Sequence, residues 1–224
     1  TQLDVYDVGY EWINHSVKAI PFQEVDENPR VTIGSSQCTK PYKASMFNIS
    51  AMSYGSLSKN AILALNTGAK LGGFYHNTGE GGLSPYHLEP GGDVVWNIGT
   101  GYFSTRTPDG KFSVEEFSKR ATLDNVKMIE IKFSQGAKPG HGGILPKEKV
   151  TDEIAAIRLV AKGNDIVSPP KHSAFTTPLE LIEFVKLLRE HSGGKPIGIK
   201  ICIGNKSEFM AICKAMVTTN TYLD

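Results

Sequence analysis

Cysteine is scarce in this chain and unpaired in pattern. Cys38, Cys202 and Cys213 are far apart and form neither a CxxC motif nor a disulfide framework, which points to a reducing, cytoplasmic setting. No continuous apolar run approaches the ~20 residues that span a bilayer. The chain also lacks GxGxxG, GxxxxGK[ST] and GxSxG segments, so a dinucleotide turn, a phosphate loop and a nucleophile elbow find no support. A charge excess is missing too. With 24 Lys/Arg against 23 Asp/Glu and a net charge of +1, and no basic block, a nucleic-acid partner is not expected. His76, His141 and His172 have no zinc-ligand spacing, and only Glu80 lies near His76 as a mixed ligand, so no metal site is expected.

What is present is ordinary folded-protein composition, 40% hydrophobic and 21% charged over 224 residues, enough for one large domain or two small ones. Residues 1–45 read as an irregular N-terminal arm, with a short strand at Val31–Gly34 and with Val8, Tyr10, Trp12 and Ile13 expected to dock it onto a larger body. The body, 46–224, alternates strand and helix signals. Strands are expected at 46–51, 74–78, 129–134, 166–168 and 196–203, the last burying Cys202 between Ile201 and Ile203. Helices are expected after Ser58, from Ser113, over 151–161, through Leu179–Leu188 and over 206–217. Residues 83–127 read as an insertion holding a strand near 94–98 and a turn at Pro108-Asp109-Gly110-Lys111. Asn220–Asp224 reads as the opening of another strand, so a longer chain is expected. Repeated strand–helix units indicate a parallel α/β domain, closed barrel or doubly wound sheet.

In such folds chemistry gathers at the C-terminal ends of the strands. There the chain places Ala51-Met52-Ser53-Tyr54-Gly55-Ser56, then Asn77-Thr78-Gly79-Glu80-Gly81-Gly82, then Lys132 and Gln135 before Gly136, and finally Lys200. The run from Ile129 to Gly143 changes from alternating strand text into a glycine-rich loop carrying Lys138. Small residues let a flat ring lie on backbone, and two lysines suit an anionic ring or substrate. The bland counterpart makes the glycine clusters turns, pairs Lys132 with a helix carboxylate and leaves Lys138 solvated.

Taken in order, and with Ser168-Pro169-Pro170 and Gly198-Ile199-Lys200, these segments resemble the FMN-binding domain of glutamate synthase. The resemblance is closest to the stand-alone glutamate synthase-like proteins and covers roughly residues 30–224. It implies a TIM-type (β/α)8 barrel, incomplete within these residues, with FMN at its C-terminal face. Met52, Ser53, Gly55 and Ser56 would lie along the isoalloxazine, and Thr78 and Gly79 would flank it. Lys132, Gln135 and Lys200 would contact its polar edge and stabilise charge on the reduced ring. Glu80 matches an acidic residue near the site and the ferredoxin-facing region. Lys138 and Arg158 match the cations that hold the carboxylates of 2-oxoglutarate.

The implied reaction condenses ammonia with 2-oxoglutarate to 2-iminoglutarate, which takes hydride from N5 of reduced FMN to give L-glutamate. Implied partners are this small-molecule substrate, ferredoxin or another electron donor, a separate glutaminase supplying ammonia, and a second copy in a homo-oligomer. An iron–sulfur cluster and the glycines that hold the FMN phosphate would follow residue 224. One departure stands out: the family's glutamate and its Gly-Gly-Gln are here His141 and Gly142-Gly143-Ile144, which removes an amide contact to the oxoacid. The alternatives are therefore an FMN oxidoreductase acting on another keto or imino acid, or a non-catalytic flavin-binding module.

Overall fold

The computed structural model describes residues 4–12, 14, 17–133, 140 and 142–224. Within the N-terminal region, β1 (Arg30–Ile33) and β2 (Tyr42–Ser45) pair as an antiparallel ribbon. Val8 and Trp12 are exposed rather than docked, which corrects their expected packing role, and Ile13 lies outside the described residues. Helix α1 (Lys59–Gly72) begins where Ser58 accepts a hydrogen bond from Ala61 N and ends at Gly73, whose φ of 64° closes the last turn.

The main sheet is parallel. It takes β3 (Tyr75–Asn77), β4 (Asp93–Ile98), β5 (Val126–Lys132) and β8 (Ile197–Lys200) in the order β3-β4-β5-β8. The short α2 (Pro85–Leu88) precedes β4, and α3 (Val114–Ala121), capped by Ser113, precedes β5. The stretch expected as an insertion thus supplies β4, paired with β3 on one side and β5 on the other. Instead of a full strand, residues 46–51 contribute one parallel bridge from Ile49 to His76. This bridge nevertheless continues the sheet past β3, through Ile49 N to Tyr75 O and Asn77 N to Ile49 O.

Between β5 and β8 the chain leaves the sheet. β6 (Ile144–Leu145) and β7 (Ile166–Val167) pair antiparallel with each other, around α4 (Asp152–Arg158). The 166–168 segment is therefore not a member of the parallel sheet. Helix α5 (Pro178–His191), with its Thr177/Glu180 capping box, leads into β8, and α6 (Lys206–Thr219) follows. β8 stops at Lys200, leaving Cys202 and Ile203 exposed, so the expected burial of Cys202 does not hold.

Two cores result. The larger packs Val94, Trp96, Ile98, Val126, Ile129 and Ile131 from the sheet against Phe117 of α3 and Leu181, Val185 and Leu188 of α5. The smaller joins Phe103, Leu145, Val150, Ile154 and Ile166, and so holds the β6–β7 ribbon and α4 together. Among the described residues no helix is long and apolar enough to cross a membrane.

Candidate functional site

Because the strands run parallel, their C-terminal ends lie along one edge of the sheet. A cavity of about 270 Å³ opens there, lined by Ala51, Ser53 and Ser56 from the first loop and Gly79, Glu80 and Gly81 from the loop after β3. Lys132 and Lys200 enter from the ends of β5 and β8, where they are register partners. The rest of the lining is Phe103 and Leu145 of the smaller core, with Gly143, Ile144, Arg158 and Ser168.

The two glycine loops fit tightly. Gly79 has a φ of 65°, and a Cβ there would come within 3.0 Å of Ser53 N. A Cβ on Gly81 would meet Tyr54 O at 2.9 Å and Arg158 Nη2 at 3.1 Å. Side chains at either position would therefore close the approach between the first two loops.

The charges are unequal in their pairing. Lys132 Nζ forms an ion pair with Glu80 Oε1, and the Lys132 side chain is only 12% exposed. Burial, with the Lys200 ammonium as a second cause, pulls the Lys132 ammonium down to about 8; the touching Glu80 carboxylate opposes both effects. The expected partner of Lys132 was a helix carboxylate, whereas the observed one belongs to the loop after β3. Arg158 is 6% exposed and makes no ion pair among the described residues. Its Nη2 donates to Tyr54 O at 3.2 Å, and its guanidinium lies 5.0 Å from the centre of the Phe103 ring. Burial pushes Arg158 down to about 10. An unpaired buried guanidinium facing a cavity is a strong receptor for a carboxylate.

Of the residues singled out in the sequence, Ser53, Ser56, Gly79, Glu80, Lys132, Arg158 and Lys200 line this one cavity. Met52, Gly55 and Thr78 are not among its lining residues. Met52 N donates to Asn77 O at 3.1 Å, and His87 Nε2 donates to Met52 O at 3.0 Å. Gly55 N donates to Leu57 O at 3.1 Å, while the buried Thr78 hydroxyl accepts from Asn97 N at 3.0 Å. Gln135 and Lys138 lie outside the described residues, as does His141. His76 and His172 do not converge: His76 is buried beside His87, whereas His172 sits against Tyr102 and Phe175. No metal-binding cluster occurs among the described residues.

Sequence reasoning missed Phe103, which carries no motif of its own, whereas Ser168 on the same cavity belongs to the Ser168-Pro169-Pro170 segment of the resemblance. It also missed a polar layer beneath the cavity, where Glu130 Oε1 accepts from Asn77 Nδ2 at 3.0 Å and Asn97 Nδ2 at 2.7 Å. The signal for that layer was a polar residue at the inward position of each of three strands.

Comparison with known proteins gives this arrangement a family. A family model described as the conserved region in glutamate synthase matches residues 8–221. The "glutamate synthase large subunit-like protein YerD" of Bacillus subtilis (strain 168) is 41% identical over 210 residues, 93% of this chain and 39% of that protein. The "archaeal glutamate synthase [NADPH]" of Methanocaldococcus jannaschii is 39% identical over 166 residues, 73% of this chain and 30% of its own length. An "archaeal-type glutamate synthase [NADPH]" of Thermotoga maritima is 37% identical over 152 residues, covering 67% of this chain and 27% of the relative. The chain thus spans well under half the length of these curated relatives.

Proposed function

The chain belongs to the glutamate synthase family, and from that premise we propose that it is the FMN-binding region of an oxidoreductase making L-glutamate from 2-oxoglutarate and ammonia. In this reading the parallel sheet is part of a TIM-type (β/α)8 barrel. The observation that carries the proposal is the strand-end cavity, lined by a lysine–carboxylate pair and by a buried guanidinium that has no carboxylate partner among the described residues.

The residues present fit a flavin ring. The cavity, at about 270 Å³, is slightly below the ~300–1,000 Å³ of typical ligand pockets, which suits the ring portion rather than the whole mononucleotide. Ser53, Ser56 and Gly79 would provide its backbone bed, and Lys132 and Lys200 its cationic edge. When bound there, FMN would supply hydride-transfer chemistry for reduction of an imino acid.

The chain's own residues do the rest. The Lys132 ammonium, held toward the cavity by Glu80, favours negative charge at the ring's polar edge. Arg158 grips a substrate carboxylate and so orients the carbon that is reduced. Phe103 and Leu145 keep water from that side of the cavity. Glu80 neutralises Lys132 between turnovers, so the cavity does not hold two unpaired buried cations. An electron donor, an ammonia-supplying glutaminase and an iron–sulfur cluster held outside these residues complete the proposed enzyme.

Ile144 favours a second reading. It stands on the cavity wall where the family's pattern has glutamine, and it offers an oxoacid no hydrogen bond. That exchange fits turnover of another 2-oxo or imino acid.

The full-length protein tests both readings. FMN reconstitution should give a yellow protein that turns over 2-oxoglutarate with ammonia. Arg158→Met should raise KM for the oxoacid at least ~10-fold, the value of a lost charged hydrogen bond. A protein that stays colourless, or an unchanged KM, would overturn the assignment. Faster turnover of a different oxoacid in the same assay would select the second reading.

A further inference from the structure

Three loops leaving the strands and the ribbon meet at one buried imidazole. His172 follows β7, is 3% exposed, and places Nε2 2.7 Å from the carbonyl oxygen of Lys132 and Nδ1 3.0 Å from the hydroxyl of Tyr102. A carbonyl can only accept, so Nε2 carries the proton and Nδ1 is the acceptor. The Tyr102 hydroxyl then donates to Nδ1, which agrees with its oxygen accepting from Ala174 N at 3.0 Å. One tautomer satisfies every member of this chain.

The acceptor is also at a sensitive place. Lys132 is the last residue of β5, and Phe133 N donates to Lys200 O at 3.1 Å as the last rung toward β8 among the described residues. His172 therefore supplies a partner for the Lys132 carbonyl just where the ladder ends. The ring is stacked on Phe175, with centroids 4.7 Å apart and planes at 21°. Burial keeps the imidazole neutral by pushing it down to about 4. Packing alone would be met by a phenyl ring; the two directed hydrogen bonds would not.

We propose that His172 is a positioning residue for Lys132: oriented by Tyr102, it pins the backbone from which the Lys132 ammonium reaches Glu80 and the strand-end cavity. The proposal rests on the reading that Lys132 works in that cavity, but its first test is independent of flavin. In the full-length protein, acetylation of individual lysines by acetic anhydride is followed by mass spectrometry, with the exposed Lys70 on α1 as internal reference.

Relative to Lys70, His172→Leu should raise the labelling rate of Lys132 about five- to tenfold, the effect of losing one buried hydrogen bond. His172→Gln, whose amide can donate to Lys132 O while its carbonyl accepts from Tyr102, should return the rate to within about twofold of wild type. A folded His172→Leu with unchanged Lys132 labelling overturns the proposal. So does a His172→Gln that behaves like His172→Leu, because a packing role alone would then suffice. Should His172→Leu fail to fold, Tyr102→Phe decides. It keeps the ring and removes only the orienting hydroxyl, and unchanged labelling there is equally fatal. Lys132→Gln separates the two ideas. If it leaves FMN affinity and the flavin reduction potential at wild-type values, the flavin assignment fails while the His172–Lys132 coupling stands.

Discussion

The two faces of β4 and β5 are made from alternate residues of the same strands, yet they serve opposite ends. Trp96, Ile98, Ile129 and Ile131 face α3 and α5 in the larger core, with Trp96 stacked on Phe117 at 5.5 Å. Their neighbours Asn97, Glu130 and Lys132 face the other way, into a hydrogen-bonded layer and then the cavity. The first face stabilises by removing apolar surface from water, without regard to direction. The second retains polar groups whose worth depends on partners in fixed places. Stability and chemistry are thus separated by a single residue of register.

The sharpest break in that comparison should come from Trp96→Ala. Its indole is fully buried, and truncation should cost about 3–5 kcal/mol of unfolding free energy, measurable by urea titration. A loss below about 1 kcal/mol would mean the outer face is not the main source of stability.

On the inner face, Glu130→Leu should cost about 2–3 kcal/mol, because both asparagine amides lose their acceptor. Glu130→Gln keeps an acceptor oxygen and should recover at least half of that loss. Equal denaturation midpoints for the two variants would show that the layer is held by shape rather than by hydrogen bonding.

The smallest change in stability belongs to the cavity itself. Arg158→Met removes an unpaired buried charge, along with its bond to Tyr54 O, and keeps most of the side-chain volume. The folded protein should stay within about 1 kcal/mol of wild type or become more stable, while the oxoacid binding proposed for Arg158 weakens. A destabilisation like that of Trp96→Ala would make Arg158 part of the scaffold instead of the site.

Helices were the most legible part of the fold, because their signals are local. Ser58, Ser113, Thr151 and Thr177 each cap the helix expected after them. Strands were read less well, since a short apolar run does not name its partner. Residues 166–168 have the text of a parallel strand but pair antiparallel with 144–145, and 46–51 keeps a single bridge. β8 ends at Lys200, in register with Lys132 at the end of β5. Nothing in Ile201-Cys202-Ile203 itself announces that stop.

The site divides in the same way. Glycines and lysines at strand ends could be picked out by composition and position. Arg158 and Ser168 were reached only through the family resemblance, and the places of Phe103 and His172 depend on contacts between distant segments. Glu130 was visible as a polar residue in a strand, but its two amide partners lie on other strands.

Lys132 stands on the sheet, whereas Arg158 stands on α4 over the smaller core. The Ser104 hydroxyl stitches the two together, accepting from Leu83 N at 3.1 Å and donating to Ile157 O at 2.7 Å. Substitutions in the smaller core should therefore act on the guanidinium first, and reach the glycine loops through its bond to Tyr54 O and its close approach to Gly81. In the proposed reading, substrate preference would then be tuned from the ribbon, where Ile144 also lines the cavity, and the flavin bed from the sheet.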